Sequence, residues 1–129
     1  MTNYEITLEI ESQTLSLSQI AAVLGADGSE FSHNKGDRRM SKSSWDETTW
    51  KTVPIQDTDI ESVLTQLLHH PVIATLQNKR AALGDICAFV NLAVFHQSYT
   101  YSFSIPQTLL SRIGEIGLDL SVSCYPCEE

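Results

Sequence analysis

An α+β domain is the fold class this sequence predicts: a mostly antiparallel sheet of about five strands with helices grouped on one face, in the order β-α-β-α-α-β-β-α-β. Three observations carry it. Several segments alternate apolar and polar residues strictly, as half-buried strands do. Other segments open on a Ser or Thr with capping-box spacing and close on Gly, as short helices do. One run, Ile86 to Phe95, is apolar on both faces apart from Asn91, which suits a central strand. At 129 residues, the chain has the length of one domain, 1–129.

In order, Ile6, Leu8 and Ile10 share one face of a strand at 4–11, and Glu5, Thr7, Glu9 and Glu11 share the other. Ser16 and Gln19 have capping-box spacing ahead of a helix at 17–24, and Gly25 suits its left-handed end. Residues 26–47 are polar, Ser-rich and Gly-punctuated, which predicts a long loop carrying most of the basic charge. The β-branched and aromatic content of 48–55 predicts a strand, with Pro54 marking an edge or an end. Thr58 and Glu61 repeat the capping box before a helix at 59–69, and Pro71 opens a second helical piece. After the central strand at 86–96, a short reversal leads to 99–105. There Tyr99, Tyr101, Phe103 and Ile105 alternate with small polar residues, which predicts another strand. Ser104 and Gln107 form a third capping box for a helix at 106–116 with Leu109, Leu110, Ile113 and Ile116 buried. The last strand, 118–125, buries Leu118, Leu120, Val122 and Cys124 on this pattern.

The net charge of −8 is uneven. Lys35, Arg38, Arg39, Lys42 and Lys51 are five of the eight basic residues, and only Asp37, Asp46 and Glu47 oppose them within 35–51. That segment is +2 and the remainder −10, so the body repels phosphate, and a nucleic-acid partner is not expected. Lys35–Lys51 with Trp45 and Trp50 is the one place where an RNA-contacting loop could sit, although Trp50 at least is expected to pack onto the sheet. No apolar run is long enough for a membrane helix, and the N-terminus lacks a signal-peptide pattern, so a cytoplasmic location is expected. Three cysteines are too few for a secreted disulfide framework.

Catalytic constellations are weak. Cys124-Tyr-Pro-Cys127 has redox or zinc spacing, but Cys124 falls on the buried phase of its strand and two further metal ligands are not in evidence. His69-His70 sits at a helix end, where the helix dipole favours it without any catalysis. Paired carboxylates in an apolar frame, a nucleophile elbow and a phosphate-binding loop do not occur. No metal and no cofactor is expected. The surfaces that stand out are electrostatic: an acidic stripe of Glu5, Glu9 and Glu11, and the basic loop with Arg38, Arg39 and Trp45. These six are the candidate partner contacts.

Ile20, Leu24-Gly25, Gly36, Trp50-Lys51, Leu64, Leu67-Leu68, Leu109-Leu110, Ile113, Ile116-Gly117-Leu118 and Leu120 through Tyr125 carry a resemblance over nearly the whole chain. The chain resembles a bacterial family of uncharacterised, stand-alone α+β domains. The resemblance implies a non-catalytic binding role, since small proteins of this kind recur as immunity partners beside secreted toxins, as in contact-dependent growth inhibition. The expected partner is then a toxin domain with a basic surface, steered by opposite charge. Two alternatives are a thiol- or metal-dependent protein using Cys124 and Cys127, and a homodimer built through the edge strand around 48–55.

Overall fold

The computed structural model describes residues 2–39 and 43–127; Lys42 of the basic segment and the two glutamates after Cys127 lie outside the described residues. The elements are β1 (Asn3–Ser12), α1 (Leu17–Leu24), β2 (Thr48–Lys51), β3 (Ile55–Asp57), α2 (Ile60–Leu68) and α3 (Pro71–Lys79), then a 3-10 turn (Arg80–Leu83), β4 (Ile86–His96), α4 (Gln107–Ile116) and β5 (Asp119–Pro126). The fold is α+β, and its five strands form one open mixed sheet in the order β2-β1-β4-β5, with β3 also paired to β1. The chain divides into two compact units, and both β1 and β4 run from one into the other.

The first unit comprises the chain up to Leu8, Pro54–His70 and the chain from Phe89 on. Here β1 pairs antiparallel with β3, Tyr4 opposite Asp57, Glu5 opposite Gln56 and Ile6 opposite Ile55. Alternation decides the faces: Tyr4, Ile6, Leu8, Val90, Leu92 and Val94 are buried, while Glu5, Thr7, Phe89, Asn91, Ala93 and Phe95 are half-exposed. Helix α2 turns Val63, Leu64, Leu67 and Leu68 inward. Its N-cap is Asp59, whose carboxylate accepts from Ser62 N at 3.0 Å, and not Thr58 as the capping-box spacing suggested. Asp57 reinforces this turn by accepting from Ser62 Oγ at 2.6 Å and Gln66 Nε2 at 3.0 Å, bonds that hold its carboxyl below the usual aspartate range.

The largest departure from expectation is at 99–105, which forms no ladder. Strand β4 instead pairs in parallel with β5, Phe89 opposite Asp119 through His96 opposite Pro126. A parallel pair needs a crossover of a dozen or more residues, and 97–118 is that crossover, so the aromatic stretch is its first half and not a hairpin strand. Its rings still pack: Phe103 meets Tyr4 edge-on at 6.0 Å, Tyr101 stacks on His96 at 5.7 Å, and the Tyr4 and Tyr101 hydroxyls are hydrogen-bonded. The fifth strand of the sheet arises elsewhere, from a break at Pro54 that divides 48–57 into β2 and β3. Helix α4 has Pro106 at its N-cap with no side-chain cap bond, so the Ser104 box is not used. Ile113 and Ile116 are buried but Leu110 is 45% exposed.

Burial also fades along β5. Leu118 just before it is buried, Val122 is 42% exposed, and Cys124, which alternation placed inside, is exposed. The physical reason is position: β5 is the outermost strand, so its core-phase side chains reach the margin of the buried layer.

The second unit comprises Glu9–Val53 and Pro71–Ala88. Helix α1 has the expected capping box between Ser16 and Gln19, and Gly25 ends it at φ 71°, a conformation that glycine adopts without steric cost. Strand β2 pairs antiparallel with the end of β1, Ile10 opposite Trp50 and Glu11 opposite Thr49. Trp50 is 1% exposed, and its indole N–H donates to the Ala26 carbonyl at 3.2 Å. The other side of β2 is not free. His33 and Thr49 exchange backbone bonds of 3.0 and 2.9 Å, Ser29 N donates to Lys51 O at 2.8 Å, and Ser32 Oγ accepts from Lys51 N at 2.9 Å. The strand edge expected to be available for a second copy is therefore taken by the chain's own 29–33 segment.

Candidate functional site

The expected long loop is largely a folded arm. Residues 36–39 and 43–45 pair with each other: Gly36 N donates to Trp45 O at 2.9 Å, Trp45 N to Asp37 O at 2.9 Å and Arg39 N to Ser43 O at 2.7 Å, with Arg38 bridged to Ser44. Gly36 has φ 90° at its base. The Asp37 carboxylate accepts from Asn34 N at 2.8 Å, and Asn34 Oδ1 accepts from Leu17 N at 2.7 Å, which ties the base to the start of α1. Lys35 N donates to Thr48 Oγ1 at 2.9 Å.

Trp45 organises the arm. Its ring stacks on His33 at 3.7 Å with 12° between planes, and the Arg39 guanidinium lies 4.3 Å from its centroid. Arg38 and Arg39 are exposed, Trp45 half-buried. Arg39 and Trp45 are thus brought together, a cation on an aromatic surface, while Arg38 shares their paired backbone opposite Ser44. Such a set offers binding chemistry: guanidinium donors for carboxylates and carbonyls, and a π-face.

His33 was undistinguished in the sequence, yet it is the partner on which Trp45 rests. It is 9% exposed, and its Nε2 has no hydrogen-bond partner among the described residues. Burial first, then the Lys51 charge, pushes its pKa below the ordinary imidazole value. The unfolded chain therefore takes up the proton first as pH falls, so the stability contributed by neutral His33 is full above about pH 6.5 and is lost toward the lowered value. His33→Phe keeps a ring under Trp45 and removes the orphaned Nε2, but it also removes the hydrogen bond between the imidazole and the Glu47 backbone. The two changes oppose each other, so thermal melts at pH 7 should shift by no more than about 1 kcal/mol in either direction, while the variant should gain on the parent between pH 6.5 and 5; a difference that stays constant over that range would contradict the lowered His33 pKa.

The acidic stripe resolves into separate environments. Glu5 is half-exposed and accepts from Gln56 Nε2 at 3.2 Å. Glu9 is 6% exposed and pairs with Lys51 Nζ at 3.6 Å. Glu11 is half-buried, and burial, then Glu47 and Glu9, push its carboxyl above the usual glutamate range. A raised carboxyl pKa means that the folded form holds the proton more tightly, so Glu11 erodes stability as pH rises through its raised value. Glu11→Gln should accordingly melt higher than the parent at pH 7 and equal to it at pH 3; a lower melting point at pH 7 would contradict the repulsion from Glu47 and Glu9.

The three cysteines, Cys87, Cys124 and Cys127, are exposed, and none is in a disulfide. Among the described residues no three or more His, Cys, Asp or Glu side chains form a group able to hold a metal ion, and no helix is long and apolar enough to cross a membrane.

Fold and surface define an α+β domain with one mixed sheet and a basic, tryptophan-centred arm. The chain belongs to the family described as a domain of unknown function (DUF4279), whose family model matches residues 2–126. No curated protein and no solved structure matches the chain.

Proposed function

We propose that the chain is a non-catalytic protein-binding module, a bacterial immunity protein that neutralises a cognate toxin by direct binding. The observation that carries this reading is the pairing of 36–39 with 43–45, where Arg38 and Arg39 are exposed on backbone that is already paired and Arg39 is already braced by Trp45. A contact surface ordered before binding loses little conformational entropy on association. The acidic remainder of the chain adds long-range attraction for a basic toxin domain, and the arm supplies short-range contacts.

The test is co-expression of the chain with the product of each neighbouring reading frame. The expected result is that one product arrests growth, that the chain relieves the arrest, and that the two proteins elute as one species. Relief of growth without a complex would overturn direct binding, because the chain would then be acting chemically.

A homodimer is the second reading, favoured by one observation: β5 ends the sheet with Val122, Cys124 and Tyr125 exposed, an edge able to pair with another strand. Sedimentation velocity separates the two, since a dimer through β5 is lost when Val122 is replaced by lysine.

A further inference from the structure

Within the first unit, Asn3, Tyr4, Glu5, Gln56 and Phe95 line a half-open cavity of about 270 Å³. We propose that this cavity receives an arginine side chain of the protein partner, with the guanidinium paired to Glu5 and stacked on Phe95. This deepens the binding reading above and rests on it.

The cavity holds an unneutralised carboxylate. Glu5 and Gln56 are directly opposed across β1 and β3, and Gln56 Nε2 donates to Oε2 of Glu5 at 3.2 Å. That bond orients the carboxylate and leaves Oε1 available. The cation that could have served the acidic stripe, Lys51, is paired to Glu9, and among the described residues no Lys or Arg reaches Glu5. Phe95 is held in place by Tyr125, its ring 5.3 Å away and within 20° of parallel. Asn3 is exposed and adds an amide oxygen able to accept.

A carboxylate, an amide acceptor and a fixed aromatic ring around one space select for a planar cation. Guanidinium carries five N–H donors in one plane and stacks on aromatic faces, so it can use all three groups at once. An ammonium is a point charge that uses the carboxylate chiefly. An anion meets Glu5 with no compensating cation, and an apolar group strips water from a charge without replacing it. The chain's net charge of −8 raises the local concentration of cationic partners further.

The test titrates acetyl-Gly-Arg-Gly-amide into the ¹⁵N-labelled full chain. Saturable shifts are expected at the amides of Asn3, Glu5 and Phe95 and at the side-chain amide of Gln56. The citrulline peptide, which has the same shape without the charge, should bind at least tenfold more weakly, as should the arginine peptide with the Glu5→Gln or Phe95→Leu variants. The citrulline comparison uses the unaltered chain, so it decides the matter even if a variant fails to fold. Unsaturable shifts, or equal binding of the two peptides, overturn the proposal. Free arginine should bind more weakly than the peptide because its α-carboxylate faces Glu5; tighter binding would make the ligand the amino acid and overturn a protein partner. Growth protection with no saturable arginine shift removes this pocket and leaves the immunity reading. Saturable binding with no protection by the chain removes that reading and keeps the pocket.

Discussion

Trp50→Ala is expected to lower folding stability by about 3–5 kcal/mol, the range for truncating a fully buried aromatic. Trp50 is 1% exposed, lies opposite Ile10 in the β1–β2 ladder, and donates its indole N–H to Ala26 O at 3.2 Å. Truncation leaves a large cavity and an unsatisfied carbonyl, in a protein whose whole stability is of order 5–15 kcal/mol. The chain is also shaped around this ring: a Cβ on Gly28 would sit 3.1 Å from Trp50 Cδ1 and would overlap Ser32 Oγ. Urea unfolding measures the loss. Trp50→Phe, which keeps most of the apolar area but leaves Ala26 O unpaired, should cost about 1–3 kcal/mol. A cost below 1 kcal/mol for the alanine variant would show that Trp50 contributes little to the core of the second unit.

Trp45→Ala is expected to weaken binding to the proposed toxin partner by at least about 2 kcal/mol, roughly 30-fold in Kd. Tryptophan and arginine carry a disproportionate share of interface energy, and here the two are joined, with Arg39 at 4.3 Å from the Trp45 centroid. Removal of the ring deletes its own contact area and also releases Arg39, which must then be ordered on binding. Folding stability should fall by only about 1 kcal/mol, because the stack on His33 is partly solvated and the arm's backbone pairing remains. Surface plasmon resonance on the purified pair reads the effect, which should appear mainly in the dissociation rate. An unchanged Kd would remove the arm from the interface and with it the observation on which the immunity reading stands.

Both predictions depend on features that differ in how readable they were. Trp50 lay in a β-branched segment whose strand character was plain and where its packing onto the sheet was expected, and it is 1% exposed. Trp45 lay in a stretch without periodicity. Arm pairing there comes from backbone bonds between 36–39 and 43–45, and backbone bonds leave no side-chain pattern to read. His33 was invisible as a partner for the same reason. It is placed by its bridge to Thr49 and by the bonds of Ser29 and Ser32 to Lys51, and long-range hydrogen bonds of this kind have no local signature. The Glu5 cavity was half-legible: the stripe named Glu5, but Gln56 and Phe95 come from two other strands.

The sequence by itself determined the local structure: alternation placed β1, an apolar run on both faces placed β4, the Ser16–Gln19 box and Gly25 delimited α1, and Pro54 and Pro71 set breaks in the chain. Each of these is a short-range steric or hydrogen-bonding preference, complete within a few residues. Only the tertiary structure decided that β5 pairs in parallel with β4, that 99–105 serves as a crossover and not a strand, that Cys124 lies outside, and that Glu9 is consumed by Lys51. Alternation fixes which residues share a face of a strand, but which strand lies beside it, and hence what covers that face, is settled only by competition among all the pairings the chain can make.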